Sequence, residues 1–281
     1  MFKLTLKNEV NFNLVLRTVL HSISCDIFYF VVGWGVALKY NLSDEQRNDE
    51  DFSVISNYSF CMCTNWNLMF QTIFLSMSLA YDMLEWLDRH DSSLGRKLKF
   101  CRDVMFSGLV VPLTLFISSM FWTLFWIDRE LVFPEVYDQL VPWWFNHCVH
   151  TNIAIVVLIE TIMQARRHPT HFKLELFLNG TAGVLYAIVY YSIYFFANRW
   201  LYGVFGIMTW WQVCLYQILI WTSTFVFYFI QFPINRIFHR EEANEQKYMV
   251  TEVKKHQGIP NAGFAEDSWL KHRTKTENSS F

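Results

Sequence analysis

Charged residues are scarce: Asp, Glu, Lys and Arg make up 17% of the 281 residues, and the formal net charge is −2. So neutral a balance excludes the basic face that nucleic-acid binding requires. Metal-ligand patterns are also missing. Of the six cysteines only Cys61 and Cys63 lie close together, and no second pair completes a zinc site. Histidines come close together only in pairs, such as His147 and His150, whereas a membrane di-iron centre needs several larger clusters. Neither G-x-x-x-x-G-K-[ST] nor G-x-G-x-x-G occurs, so no phosphate-cradling nucleotide site is expected. No internal repeat or inverted symmetry is visible, which argues against a transporter built from repeats. No cofactor or metal is expected. A cleavable signal peptide is not evident either, because the first apolar stretch is too long for one and lacks a small-residue cleavage site.

Apolar residues are abundant and unevenly placed. Hydrophobic residues make up 53% of the chain, aromatics make up 19%, and the mean hydropathy is +0.19. They fall into six blocks of the length that spans a bilayer: Leu14–Leu38, Cys61–Leu87, Val104–Trp126, Trp143–Met163, Leu174–Ala197 and Thr209–Phe232. The fold class is therefore all-α, an integral membrane bundle of six transmembrane helices over residues 1–238. Residues 239–281 form a polar cytoplasmic tail of disordered composition. Lys and Arg gather at the start (Lys3, Lys7, Arg17), in the second loop (Arg89, Arg96, Lys97, Lys99, Arg102), in the fourth (Arg166, Arg167, Lys173) and after the last span (Arg236, Arg240). The first loop is acidic (Asp44, Glu45, Asp49, Glu50, Asp51), and so is the third (Asp128, Glu130, Glu135, Asp138). The positive-inside rule then places both termini in the cytoplasm. Trp143, Trp144, Trp200, Trp210 and Trp211 fall at the outer ends of spans, as an aromatic belt does.

Polar residues inside the blocks are costly in lipid and turn toward the bundle interior. In the second block Thr64, Asn67, Gln71, Ser78, Asp82 and Glu85 recur at helical spacing. In the fourth, Asn146, His150, Glu160 and Gln164 do the same. Such stripes can simply glue helices together, and Asp82, Glu85 and Glu160 read best as ion pairs. Thr64 and His150, however, lie in the same outer half of the membrane on helices running the same way. A threonine hydroxyl becomes a nucleophile when a neighbouring imidazole takes its proton. Asn67 and Asn146 are candidate oxyanion donors. His147 is rotated about 60° off the stripe by helical geometry and reads as a supporting residue. Asp128 is a candidate third member only because it is acidic and on the same side. His21 reads as an isolated structural residue.

The stretches "FWTLFWIDRELVFP" (121–134) and "VPWWFNHCVHTNIAIVVLIE" (141–160) resemble the androgen-induced and androgen-dependent family of six-span membrane proteins. The shared residues are Asp128, Arg129, Glu130, Phe133, Pro134, Asn146, His147, His150 and Thr151. "CTNWNLMFQTIF" (63–74) resembles the family's segment around its threonine. The resemblance implies an atypical threonine hydrolase. Its nucleophile matches Thr64, its base matches His150, and its substrates are fatty acid esters of hydroxy fatty acids drawn from the bilayer. Met62 and Cys63 stand where the family commonly has an aromatic and a leucine, which alters the lip of the pocket. Other classes predict differently. A non-enzymatic multi-pass regulator or scaffold would keep the polar stripes for packing alone, and a transporter would need a continuous polar path. The expected setting is an integral multi-pass protein of the endoplasmic reticulum, endomembranes or plasma membrane.

Overall fold

A computed structural model describes residues 12–48 and 52–240. Lys3, Lys7, Asp49, Glu50, Asp51 and residues 241–281 of the tail lie outside the described residues. The chain divides into two units, 1–238 and 239–281, and the first contains the helical bundle.

Six long helices make up the bundle: α1 (Phe12–Asn41), α2 (Cys63–Trp86), α3 (Ser93–Ile127), α4 (Trp143–Met163), α5 (Phe172–Ala197) and α6 (Trp210–Phe238). No strand occurs among the described residues. Five of the six are long and apolar enough to cross a membrane. The other, α2, has the length at 24 residues. Its polar stripe lowers its hydropathy, and that stripe is hidden: Asn67, Gln71, Ser78 and Asp82 are all buried.

The α3 helix is the central element. Its apolar window is 67% buried, against 11–39% for the other four apolar helices. It begins earlier than the apolar block at Val104 implies. Ser92 Oγ accepts from the Gly95 N–H at 3.0 Å and caps the helix, so the basic run Arg96, Lys97, Lys99 and Arg102 is helical rather than loop. Within α3 a π-turn at Phe106–Val110 precedes Pro112, which has no N–H to give. Gly108 in that turn lets α5 come close: a Cβ there would lie 3.0 Å from the Glu175 backbone.

The core packs Phe28 and Val31 of α1, Phe74 and Leu75 of α2, Val110 of α3, and Ile153 and Val157 of α4. Large apolar side chains such as Phe195, Phe196, Ile188 and Ile218 are exposed on the outside, as a lipid-facing surface requires. Trp143, Trp210 and Trp211 are exposed as an interfacial belt requires. Trp200 differs. It stacks on Tyr190 and Tyr194 inside an aromatic cluster that also holds Phe205.

One end of the bundle is tied by charge. Arg17 bonds Asp82 at 2.7 Å and also pairs with Glu85. His21 sits between two carboxylates, with Nδ1 2.6 Å from Asp82 Oδ2 and Nε2 3.0 Å from Glu160 Oε2. Carboxylates only accept, so both ring nitrogens donate. Arg166 reaches Glu160 at 2.8 Å and Asp103 at 3.3 Å, and Arg102 pairs with Asp103. The reading of Asp82, Glu85 and Glu160 as ion pairs holds. His21 is not isolated but central: it links α1 to both α2 and α4. Asn235 adds α6, its amide donating to the Thr161 and Gln164 carbonyls.

Candidate functional site

Thr64 is the second residue of α2. The chain reaches it through a short helix at Ser53–Tyr58 and a tight turn at Ser59–Cys61. Met62 then swings extended, at φ −71° and ψ 135°, and the helix starts. The N-cap residue Met62 makes no side-chain bond to this start; the first amide, Cys63 N–H, donates to the Tyr186 and Tyr202 hydroxyls. The Asn65 side-chain amide donates back to the Ser59 carbonyl and pins the turn.

His150 lies within a second π-turn, Cys148–Asn152 of α4. Such turns shift the helix phase by a residue and recur at functional sites. Here His150 is 8% exposed, and its Nε2 is 3.3 Å from Thr64 Oγ1. Its Nδ1 lies 2.9 Å from Asn146 Oδ1 and 3.1 Å from the Asn146 carbonyl. Both are acceptors, so Nδ1 carries the proton and the Nε2 lone pair faces the threonine hydroxyl. Phe121 stacks flat on the imidazole, with centroids 3.5 Å apart and planes 8° apart. The ring is held by hydrogen bonds at one edge and by an aromatic face.

These groups open onto a cavity of about 1120 Å³ among α1 to α6. Thr64, Asn146 and His150 are on its wall, together with Tyr186, Tyr202 and many apolar side chains. Pockets of about 300–1,000 Å³ suit small ligands, so this one has room for a long acyl chain. Chemically the site offers a hydroxyl, an oriented neutral base and an apolar chamber.

The remaining predicted residues are placed elsewhere. Asn67 Oδ1 accepts from Thr114 Oγ1 at 3.2 Å, and Asn67 is not on the cavity wall. His147 Nδ1 is 3.1 Å from Thr151 Oγ1, and its ring packs between Trp122 and Trp143. Asp128 caps a short turn by accepting from the Glu130 N–H at 3.0 Å. The acidic-basic run it belongs to is a clasp. Arg129 pairs with both Asp138 oxygens at 2.9 Å, and that carboxylate raises the guanidinium's already high pKa. Glu130 accepts from the Glu135 N–H at 2.9 Å. The clasped loop lends Leu131, Val132 and Phe133 to the cavity wall. Sequence reasoning did not single out Phe121, Tyr186 or Tyr202. Phe121 opens the recognisable 121–134 stretch, whereas nothing in the sequence distinguishes these two tyrosines from the other eleven. No group of three or more His, Cys, Asp or Glu suited to a metal ion occurs among the described residues.

Multiple apolar helices packed around a central one, with charge at the ends and in the interior, define an integral multi-pass membrane protein. The chain belongs to the FAR-17a/AIG1-like protein family, which it matches over residues 24–236. It is 34% identical over 206 residues to the androgen-dependent TFPI-regulating protein of Mesocricetus auratus, spanning 68% of this chain and 84% of that one. The human protein of the same name is 30% identical over 187 residues, with 65% and 79% covered. The human androgen-induced gene 1 protein is 28% identical over 109 residues, with 37% and 46% covered. No solved structure matches the chain.

Proposed function

We propose that this protein is a membrane-embedded carboxylic-ester hydrolase with Thr64 as nucleophile and His150 as base. The observation that carries the reading is the 3.3 Å approach of Thr64 Oγ1 to the Nε2 of an oriented imidazole on the wall of a large apolar cavity. Such contacts are often loose before substrate arrives and tighten in the complex. In the first half-reaction His150 Nε2 takes the hydroxyl proton while Oγ1 bonds the ester carbonyl carbon. The tetrahedral intermediate collapses, the C–O bond to the alcohol breaks, and the alcohol leaves with the proton from His150. Water then gives a proton to His150 and attacks the acyl-threonine; the acid departs and Oγ1 regains its hydrogen.

A largely apolar chamber with a hydroxyl–imidazole pair on its wall suits an ester set along an aliphatic chain. Fatty acid esters of hydroxy fatty acids have that form, and the resemblance around Thr64 and His150 favours them as substrates. The loop charges support an orientation with both termini cytoplasmic, which sets the pair in the outer half of the bilayer.

Thr64→Ala and His150→Ala are each expected to abolish hydrolysis of a branched fatty ester in membranes, and His147→Ala to leave substantial activity. Full activity in Thr64→Ala would refute the reading. A second reading draws on the relatives called TFPI-regulating proteins: a non-enzymatic regulator or scaffold whose polar network serves packing. A fluorophosphonate probe separates the two, because only the hydrolase gives labelling that disappears with Thr64.

A further inference from the structure

An ester hydrolase needs donors for the oxygen that becomes negative in the tetrahedral intermediate. Of the two asparagines favoured on sequence grounds, Asn67 is not on the cavity wall, and Asn146, which is, turns its oxygen to His150 and keeps its Nδ2 as a further donor. Another pair of groups bonds the residue before the nucleophile. The N–H of Cys63, the residue before Thr64, donates to Tyr202 Oη at 3.0 Å and to Tyr186 Oη at 3.1 Å. The two phenol oxygens are 2.7 Å apart. Tyr186 comes from α5 and Tyr202 from the loop after it, and both line the cavity that holds Thr64 and His150.

Counting donors leaves one over. The pair has two O–H groups. One of them makes the 2.7 Å bond between the phenols. The other has no acceptor among the described residues. Both oxygens already accept from the Cys63 amide, which polarises the O–H bonds and strengthens what they donate. Burial holds the Tyr202 phenol well above its ordinary pKa, so it keeps its proton. The Thr64 N–H, in the first turn of α2, likewise has no carbonyl four residues back within the helix to bond.

We infer that the Tyr186–Tyr202 phenol pair is the oxyanion donor of this site, giving its spare O–H to the carbonyl oxygen of an ester attacked by Thr64. The inference rests on the hydrolase reading. As the carbonyl carbon bonds Oγ1, its π electrons move onto oxygen, and the spare O–H bonds that oxygen without transferring its proton. The electrons return when the alcohol leaves. Because the hydroxyls are interchangeable in this role, either alone can still serve, less strongly, after its partner is lost.

The test uses full-length protein in membranes, comparing wild type, Tyr186→Phe, Tyr202→Phe, the double variant and Thr64→Ala on one branched fatty ester. The double variant is expected to lose roughly 10²-fold or more in kcat with little change in KM, as removal of an oxyanion donor does. Each single variant should lose only several-fold. Wild-type kcat in the double variant would overturn the inference, and so would a loss expressed as raised KM with kcat intact. If the double variant does not fold, the single variants decide: reduced kcat at unchanged KM and unchanged Tm supports the pair, and wild-type kcat in both overturns it. Thr64→Ala separates the two levels. If it is inactive while the tyrosine variants are normal, the hydrolase stands and the donor assignment falls. If it is active, the hydrolase reading itself fails.

Discussion

Replacing Asn146 by Ala asks how the His150 ring is aimed. Two acceptors on one residue face His150 Nδ1: the side-chain Oδ1 at 2.9 Å and the backbone carbonyl at 3.1 Å. Alanine removes the first and leaves the second. The Phe121 face also stays, 3.5 Å from the ring. The expected loss is therefore one neutral hydrogen bond, about 1–1.5 kcal/mol. At about 1.4 kcal/mol per factor of ten, kcat should fall about tenfold. A sole orienting partner would be worth far more, on the order of 10⁴ where a triad carboxylate alone fixes the tautomer. The assay is the initial rate of branched-ester hydrolysis in membranes with matched protein levels, with fluorophosphonate labelling rate as a second readout. Wild-type kcat would mean the Oδ1 bond is idle. A loss as deep as that of His150→Ala would mean the backbone carbonyl cannot hold the ring. Either result refutes the two-acceptor account.

Two further predictions concern the scaffold. Glu160→Gln removes a carboxylate shared by His21 and Arg166 while the side chain stays buried. Leaving buried charge uncompensated costs about 3–5 kcal/mol, so the melting temperature in detergent should drop by many degrees; an unchanged Tm would show that the network is slack. Gly108→Ala places a Cβ 3.0 Å from the Glu175 backbone at the α3–α5 crossing. Overpacking of this kind costs about 1–3 kcal/mol, which a thermal shift assay of the variant against wild type would detect, whereas equal stability would mean the crossing can open.

Much of this was legible in the residues themselves. Hydrophobic block length announces helices because a bilayer forces every backbone polar group to be satisfied within its own segment. The stripes of α2 and α4 were readable because helical spacing puts Asn67, Gln71, Ser78 and Asp82 on one face, and those four are buried. Rotation about the helix axis also set His147 apart from His150, and of the two only His150 lines the cavity. The start of α3 was not legible, since hydropathy marks where lipid-like residues begin and not where a Ser92 cap starts the helix. His21 looked isolated because its partners, Asp82 and Glu160, are 61 and 139 residues away.

The sequence by itself determined the solvent of this protein. It set the number of long helices and the residues that cannot face lipid, because transfer free energy depends on composition and period alone. Tertiary structure decided which polar residues meet. The 3.3 Å approach of Thr64 to His150 depends on how α2 and α4 pack and on a π-turn that rotates one imidazole. The phenols of Tyr186 and Tyr202 reach the amide of Cys63 across 123 and 139 residues of chain. A hydrogen bond is fixed by distances of a few tenths of an ångström, and only the packed helices set those distances.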